Sequence, residues 1–252
     1  MTLSQLSPAI GLQLYTLREL MQQDLPGTLA AVAAMGYKTV EFAGYFKHPP
    51  AHISKLLDQQ GLSAPSAHVA PHRLLHRPEL ALDEAAEAGH KYLVLAWWEE
   101  TLRTENGYYQ LADLLNHVGQ LAQTRGLKLA YHNHDFEFSA LSNFTPYDFL
   151  LAQTNPDYVC YELDLYWAVH AGRNPMDLLV EHPGRFALLH AKDMDSSGAE
   201  TDIGNGQIDF AKLLGHLPLD AVQYLFVERD EPEAALASAA LGLSRLNEIL
   251  NP

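Results

Sequence analysis

The sequence predicts a (β/α)8 barrel, a TIM barrel, in a single domain over residues 1–252. Three observations predict it. Eight short apolar runs alternate with amphipathic segments along the whole chain. Four of the amphipathic segments end on a glycine that leads into the next unit, the usual helix stop. The length of 252 residues, with 48% hydrophobic, suits one large α/β domain with a full core. A doubly wound open sheet would favour a glycine-rich phosphate turn after the first strand, and LQLYTLRELMQQ holds no glycine.

The strand-like runs, in order, are IGLQLYTL (10–17), YKTVEFAG (37–44), LSAPSAHV (62–69), KYLVLAWW (91–98), LKLAYHNH (127–134), YVCYELDLYW (158–167), FALLHAKD (186–193) and YLFVERD (224–230). Between them, PGTLAAVAAMG stops at Gly36, ISKLLDQQG at Gly61, LALDEAAEAG at Gly89 and LADLLNHVGQLAQTRG at Gly126. In the last of these Leu111, Leu114, Leu115, Val118, Leu121 and Ala122 follow the three-four spacing of one buried helix face. EAALASAALGLSRLNEIL repeats that pattern near the C-terminus. No low-complexity linker or composition shift marks a second domain.

The formal charge of −15 argues against nucleic acid and anionic membrane as partners. No window approaches 18 continuous apolar residues, and MTLSQLSPAIG lacks the basic-then-apolar pattern of a signal peptide, so the expected compartment is the cytoplasm. The single cysteine, Cys160, lies inside an apolar strand and reads as a core thiol; there is no disulfide framework and no cysteine-based zinc site.

Polar residues near the ends of apolar strands carry the functional signal. His132, Asp164, His190 and Glu228 fall on the fifth, sixth, seventh and eighth strands. Two imidazoles and two carboxylates are a usual ligand set for a catalytic divalent metal. Alternation puts each on the inward parity of its strand, with Ala130 and His134 beside His132, Glu162 and Tyr166 beside Asp164, and Leu188 and Lys192 beside His190. Glu41, His68, Gln13 and Tyr15 are placed the same way on the first three strands. Each has an ordinary alternative: an inward His is often a hydrogen-bonded core residue, an Asp at a strand end is commonly a helix N-cap, and Lys192 could neutralise the carboxylates in place of a metal. Tyr15, Phe42, Trp97, Trp98, Tyr166 and Trp167 lie near strand ends and suit either the apolar face of a sugar ring or barrel packing. The glycines of DIGNGQIDF could expose amides to an anion, or form a tight connection with Asp209 near a helix start.

GLQLYTLRE, YHNHDFEF, ELDLYWA, HAKDMD and GNGQIDF, in that order, resemble the sugar phosphate isomerase/epimerase superfamily of xylose-isomerase-like TIM barrels, which includes ketose 3-epimerases and inosose isomerase and dehydratase. The resemblance runs from Ile10 to the last helix. It implies one divalent ion, manganese first, with magnesium, cobalt or zinc as alternatives. It assigns the ligands to His132, Asp164, His190 and Glu228. His134 shares the face of His132 and stays open as the strand-five ligand. The epimerases carry glutamate at the His132 position, so the symmetric two-glutamate proton transfer of that group is in doubt here.

The resemblance implies an isomerase or epimerase acting on a sugar or polyol ketone through an enediolate, or a lyase or dehydratase that completes the same proton removal by β-elimination. Glu228 or His134 would be the base, and Lys192 and His68 would steady oxygens or donate protons. Tyr15, Glu41, His68 and Trp167 would contact substrate. With no clustered Arg or Lys, a non-phosphorylated sugar or polyol is favoured. A homo-oligomer is compatible with the family. The −15 charge counts against an apurinic-site nuclease, which needs a basic face, and four retained ligands count against a non-catalytic sugar-binding barrel, the remote alternative.

Overall fold

The computed structural model describes residues 8–215 and 222–250. The N-terminal residues 1–7, used above in the signal-peptide reading, lie outside the described residues. Eight parallel strands close into a barrel: β1 (Ala9–Gln13), β2 (Thr39–Phe42), β3 (Ser63–Val69), β4 (Tyr92–Leu95), β5 (Lys128–His132), β6 (Val159–Asp164), β7 (Phe186–Ala191) and β10 (Tyr224–Val227). Each pairs with its neighbour in sequence, and β10 pairs with β1 to seal the cylinder. A two-stranded antiparallel hairpin, β8 (Asp193–Met194) and β9 (Glu200–Thr201), is inserted after β7.

Eleven α-helices lie among the described residues, against the eight that simple alternation predicts. The extra ones are short pieces at the strand ends, such as α1 (Arg18–Gln23) before α2 (Leu25–Ala34), α4 (Pro71–His76) before α5 (Pro78–Glu87), and α8 (Leu165–His170) before α9 (Pro175–Glu181). Proline at the first turns of α5 and α9 explains the breaks, because it can start a helix and cannot continue one. Between them in the chain lie α3 (Pro50–Gln60), α6 (Glu105–Gln123) and α7 (Pro146–Gln153). The last two helices are α10 (Phe210–Gly215) and α11 (Ala235–Leu250). The glycine stop of α3 holds: Gly61 takes the left-handed conformation at φ 63°. The buried face of α6 includes Leu111, Leu115, Val118 and Ala122, and its first turn is capped by Thr104, whose hydroxyl accepts from the Gly107 amide at 3.1 Å.

The strands end sooner than the apolar runs suggest. β1 stops at Gln13 and passes into a 3-10 turn at Leu14–Leu17; β4 stops at Leu95, before Trp97; β5 stops at His132, before His134. Most apolar burial lies between strands and helices. Inside the cylinder a smaller layer of Tyr92, Val94, Ala130, Cys160, Leu188 and Phe226 fills the N-terminal half. Phe226 fits there because Gly11 beside it carries no Cβ; one built at Gly11 would come within 2.5 Å of the Phe226 ring. Burial pushes the Cys160 thiol up to about 12, in keeping with an inert core residue. The apolar layer is a floor, and the polar residues sit above it.

Candidate active site

Strand register stacks the polar residues in two tiers. His132 on β5 stands opposite Glu162 on β6, and Asp164 on β6 opposite His190 on β7. The lower tier gathers around two fully buried carboxylates. Glu162 Oε2 lies 2.8 Å from His68 Nε2, 3.1 Å from His132 Nδ1 and 3.2 Å from His190 Nε2. Glu41 Oε2 lies 2.7 Å from His190 Nε2 and accepts from Gln13 Nε2 at 2.7 Å. The upper tier is Asp164, His190, Glu228 and Lys192. His190 turns its other nitrogen, Nδ1, to Glu228 Oε2 at 2.6 Å, and Lys192 Nζ sits 3.1 Å from Asp164 Oδ2 and 2.9 Å from Glu228 Oε2. His132 Nε2 faces Asp164 Oδ2 at 3.8 Å.

Both His132 and His190 therefore turn one ring nitrogen down to the lower carboxylates and the other up to the upper tier. Asp164 serves twice. Its Oδ1 caps α8 by accepting from the Trp167 amide at 2.9 Å, and its Oδ2 faces Lys192 and His132 without a hydrogen-bond partner. Asn133 secures this strand end: its Oδ1 accepts from the Asp164 amide at 3.0 Å.

Electrostatics divide the imidazoles. Burial pulls His68 down, but the Glu41 and Glu162 carboxylates outweigh it and raise it to about 10. The same opposition, with Glu162 and Glu228 as partners, holds His190 well above the usual range. His132 is held well below it by burial and by the neighbouring imidazoles, so it is neutral. Burial and the Lys192 charge bring His134 down to about 3. Among the carboxyls, burial raises Asp164 to about 6 against the pull of Lys192 and His190. For Glu228, burial is outweighed by Lys192 and His190, which hold it below the usual carboxylate range. For Glu41, burial is outweighed by His68 and His190 in the same way. Burial also works against the Lys192 charge, yet Asp164, Glu228 and Asp230 keep it firmly an ammonium.

The upper tier opens into a cavity of about 580 Å3 lined by Tyr15, His68, Trp97, Arg103, His132, His134, Phe136, Trp167, Lys192, Glu228 and other residues. Tyr15 is 39% and Trp97 42% exposed, and both line the cavity. Phe42 and Trp98 are buried in packing, and Trp98 Nε1 donates to the Leu102 carbonyl. His134 lies past the end of β5, stacked on Phe136 and edge-on to Trp97, outside both groups of side chains close enough to share an ion. Those groups are His68, His132, Glu162 and His190, and Asp164, His190 and Glu228.

Two expectations change. Glu41, expected against substrate, lies beneath the imidazoles, is fully buried and is absent from the cavity lining, so it supports His190 and Gln13. The amides of Gly204, Gly206 and Ile208 do not await an anion: they donate to the chain's own Asp193 carboxylate at 2.9, 3.0 and 3.1 Å. Asp209 caps the turn that follows, accepting from the Lys212 amide. Sequence reasoning had placed Glu162 on the inward parity but not in the site. Its signal was a glutamate two residues before Asp164 in an otherwise apolar strand. Glu137 sits behind the strand, where it accepts from Tyr131 Oη at 2.6 Å and from the His134 amide at 2.8 Å.

A closed eight-stranded barrel with carboxylates and imidazoles at the C-terminal strand ends defines a TIM barrel with a site able to hold a divalent ion. The model of the xylose isomerase-like TIM barrel family matches residues 29–246, and the chain belongs to that family. Among curated relatives, an inosose dehydratase of Bacillus cereus is 29% identical over 153 residues, which is 54% of this chain and 51% of the relative. The chain thus spans about half the length of that relative in the match. Among solved structures, a sugar phosphate isomerase/epimerase from Parabacteroides distasonis superposes with a TM-score of 0.82 at 24% identity, covering 96% of this chain and 94% of that one. The IOLI protein with a bound zinc atom superposes at 0.79 with 16% identity, covering 96% and 98%. These two likenesses are likenesses of fold. No helix among the described residues is long and apolar enough to cross a membrane.

Proposed function

We propose that this protein is a divalent-metal-dependent enzyme that removes a proton beside the ketone of a non-phosphorylated sugar or polyol and returns it elsewhere, as an isomerase or epimerase. One observation carries the reading: Asp164, His190 and Glu228 converge at the cavity floor with His132 beside them, each imidazole backed by a buried carboxylate. That backing is the arrangement by which carboxylates orient metal-binding imidazoles.

The residues fit an ion. Asp164 Oδ2 is buried without a hydrogen-bond partner. Glu41, Glu162, Asp164 and Glu228 carry four formal negative charges; Lys192 and protonated His68 and His190 cancel three, and a divalent cation that replaces the His190 proton cancels the rest. Lys192 alone therefore does not balance the site. His132, Asp164, His190 and Glu228 would hold the ion, His132 through Nε2 and His190 through Nδ1. When bound, the ion supplies the positive charge that polarises the ketone and stabilises the enediolate left by proton loss. A manganese ion suits this mixed imidazole and carboxylate set, and magnesium, cobalt or zinc are the alternatives.

Glu228 acts as the base: it is ionised, it lines the cavity, and its contacts to His190 and Lys192 both use Oε2. Lys192 remains an ammonium and steadies a developing negative oxygen. His134 lines the cavity as a neutral imidazole with an unpartnered Nδ1, and it hydrogen-bonds a substrate oxygen. His68, Tyr15 and Trp167 line the cavity and bind the substrate body. In heavy water the protein with manganese should introduce solvent deuterium beside the ketone of inosose or a ketohexose, read by NMR. Glu228→Gln should lose at least about 100-fold of that exchange rate. Exchange undiminished in Glu228→Gln would remove Glu228 as the base.

A dehydratase is the second reading, favoured by the imidazole at His132, which leaves Glu228 without a carboxylate counterpart on β5, and by the name of the Bacillus cereus relative. Elimination needs one base and a leaving β-hydroxyl, so Glu228 with Lys192 or His134 suffices. A rise in ultraviolet absorbance from an enone product selects this outcome; deuterium in recovered or isomerised ketone without such a rise selects the first.

A further inference from the structure

Arg103 follows the short 3-10 turn Glu100–Leu102 and lines the same cavity as Lys192 and Glu228. Its guanidinium carbon lies 3.4 Å from the centroid of the Phe136 ring and 4.6 Å from that of Trp97. Nε donates to the Trp98 carbonyl at 2.9 Å. Rings and carbonyl thus fix the plane and one edge of the group. Nη2 has no hydrogen-bond partner, and the side chain lines the cavity. Among the described residues Arg73, Arg125, Arg173 and Arg229 each hold a carboxylate, and Arg103 makes no such ion pair. A buried N–H without an acceptor is destabilising, and a ligand oxygen relieves it. A guanidinium already immobilised loses little entropy on accepting a ligand.

We infer that Arg103 binds a pair of neighbouring hydroxyls at the end of the substrate that lies away from the reacting carbon, and so selects a neutral polyol. The fork of a guanidinium edge matches two adjacent oxygens. A carboxylate, a phosphate and a vicinal diol each present two such oxygens, and the cavity's charge separates the anions from the diol. Asp135, Glu228, Asp230 and Glu231 line it; Lys192 is already within 3.1 Å of three carboxylates, and the protonated His68 lies 2.8 Å from Glu162. An anion at Arg103 would face those carboxylates; a diol does not. A row of rings, His132, His134 and Phe136, leads from the ion site to Arg103, at centroid steps of 5.2 and 5.4 Å. The inference rests on the ketone reading above only for which end of the ligand reacts.

Binding can be read without turnover, from the tryptophan fluorescence of Trp97 and Trp167 or by calorimetry on manganese-loaded protein. The probes are myo-inositol, cyclohexanone, which lacks hydroxyls, and glucuronate, which carries a carboxylate. Arg103→Gln should weaken myo-inositol about 10-fold or more and leave cyclohexanone unchanged. Arg103→Lys, which keeps the charge and loses the fork, should be weakened as well. Manganese affinity should be the same in all three proteins. A merely structural role would alter cyclohexanone and myo-inositol together, and that result overturns the inference. Equal myo-inositol affinity in wild type and Arg103→Gln overturns it, as does wild-type protein that binds no myo-inositol. Tighter glucuronate than myo-inositol, lost in Arg103→Gln, overturns the neutral class. If wild type binds no manganese yet the myo-inositol difference persists, the metal reading fails and Arg103 keeps its role.

Discussion

Glu137 is a carboxyl sealed behind β5, bridging the Tyr131 hydroxyl and the His134 amide. It fixes the turn that carries His134 into the cavity. Burial raises it from 4.5 to about 7, with the two hydrogen bonds opposing. A carboxyl with a higher value in the folded than in the unfolded chain binds more protons when folded. Stability therefore falls as pH rises from about 4.5 to about 7, and the loss is complete above that. The shift corresponds to about 3 kcal/mol. Gln at this position can still accept from the His134 amide and donate to Tyr131, and it does not titrate. Urea unfolding at pH 5 and pH 8 should show Glu137→Gln gaining up to about 3 kcal/mol on wild type between the two. A constant difference at both pH values would mean that Glu137 is not the buried acid described here.

At the scale of elements, the segment after β7 depends on one side chain. Asp193, buried at the start of the β8–β9 hairpin, accepts from the amides of Met194, Gly204, Gly206 and Ile208. The hairpin in turn holds the rim of the site: Glu200 accepts from the Asp230 amide at 2.7 Å, and Tyr166 donates to the Gly198 carbonyl at 3.0 Å. Asp193→Ala would strand four amides, each charge-assisted bond contributing about 1.5–3 kcal/mol at most. The amides of residues 194–208 should exchange faster with deuterium while those of β4 to β6 keep their protection; uniform protection across 194–208 would sink this role. How much of this was legible follows from distance along the chain. Strand parity alone put His132, Asp164, His190 and Glu228 on inward faces, because a two-residue period needs only local sequence. It also put Glu162 there, but its depth depends on register between strands, which local sequence does not carry. GNGQIDF reads the same whether its amides meet a ligand or Asp193. Arg103 and Glu137 lie in connections, where long-range packing decides what a side chain meets.

For the whole molecule, three strands, β5, β6 and β7, and the residue following β10 contribute to one group of charges at one end of the barrel. Without an added ion, protons on His68 and His190 and the Lys192 ammonium offset three of the four carboxylates. An ion that binds only the folded arrangement stabilises it by RT ln(1 + [L]/Kd), about 2.7 kcal/mol at 100 times Kd. For a chain of this size that corresponds to a rise in Tm of roughly 5–10 °C. Manganese should produce such a rise in thermal unfolding, and a chelator should reverse it. Glu162→Gln tests the lower tier separately, because Glu162 faces the ring nitrogens turned away from the upper tier. Loss of an orienting carboxylate typically costs 10–100-fold in metal affinity, so the manganese concentration giving half the Tm rise should move up by about that factor. A wild-type Tm indifferent to manganese would remove the ion from the proposed chemistry. A normal manganese response in Glu162→Gln would keep the ion and show that the imidazoles are held by packing and by Glu41.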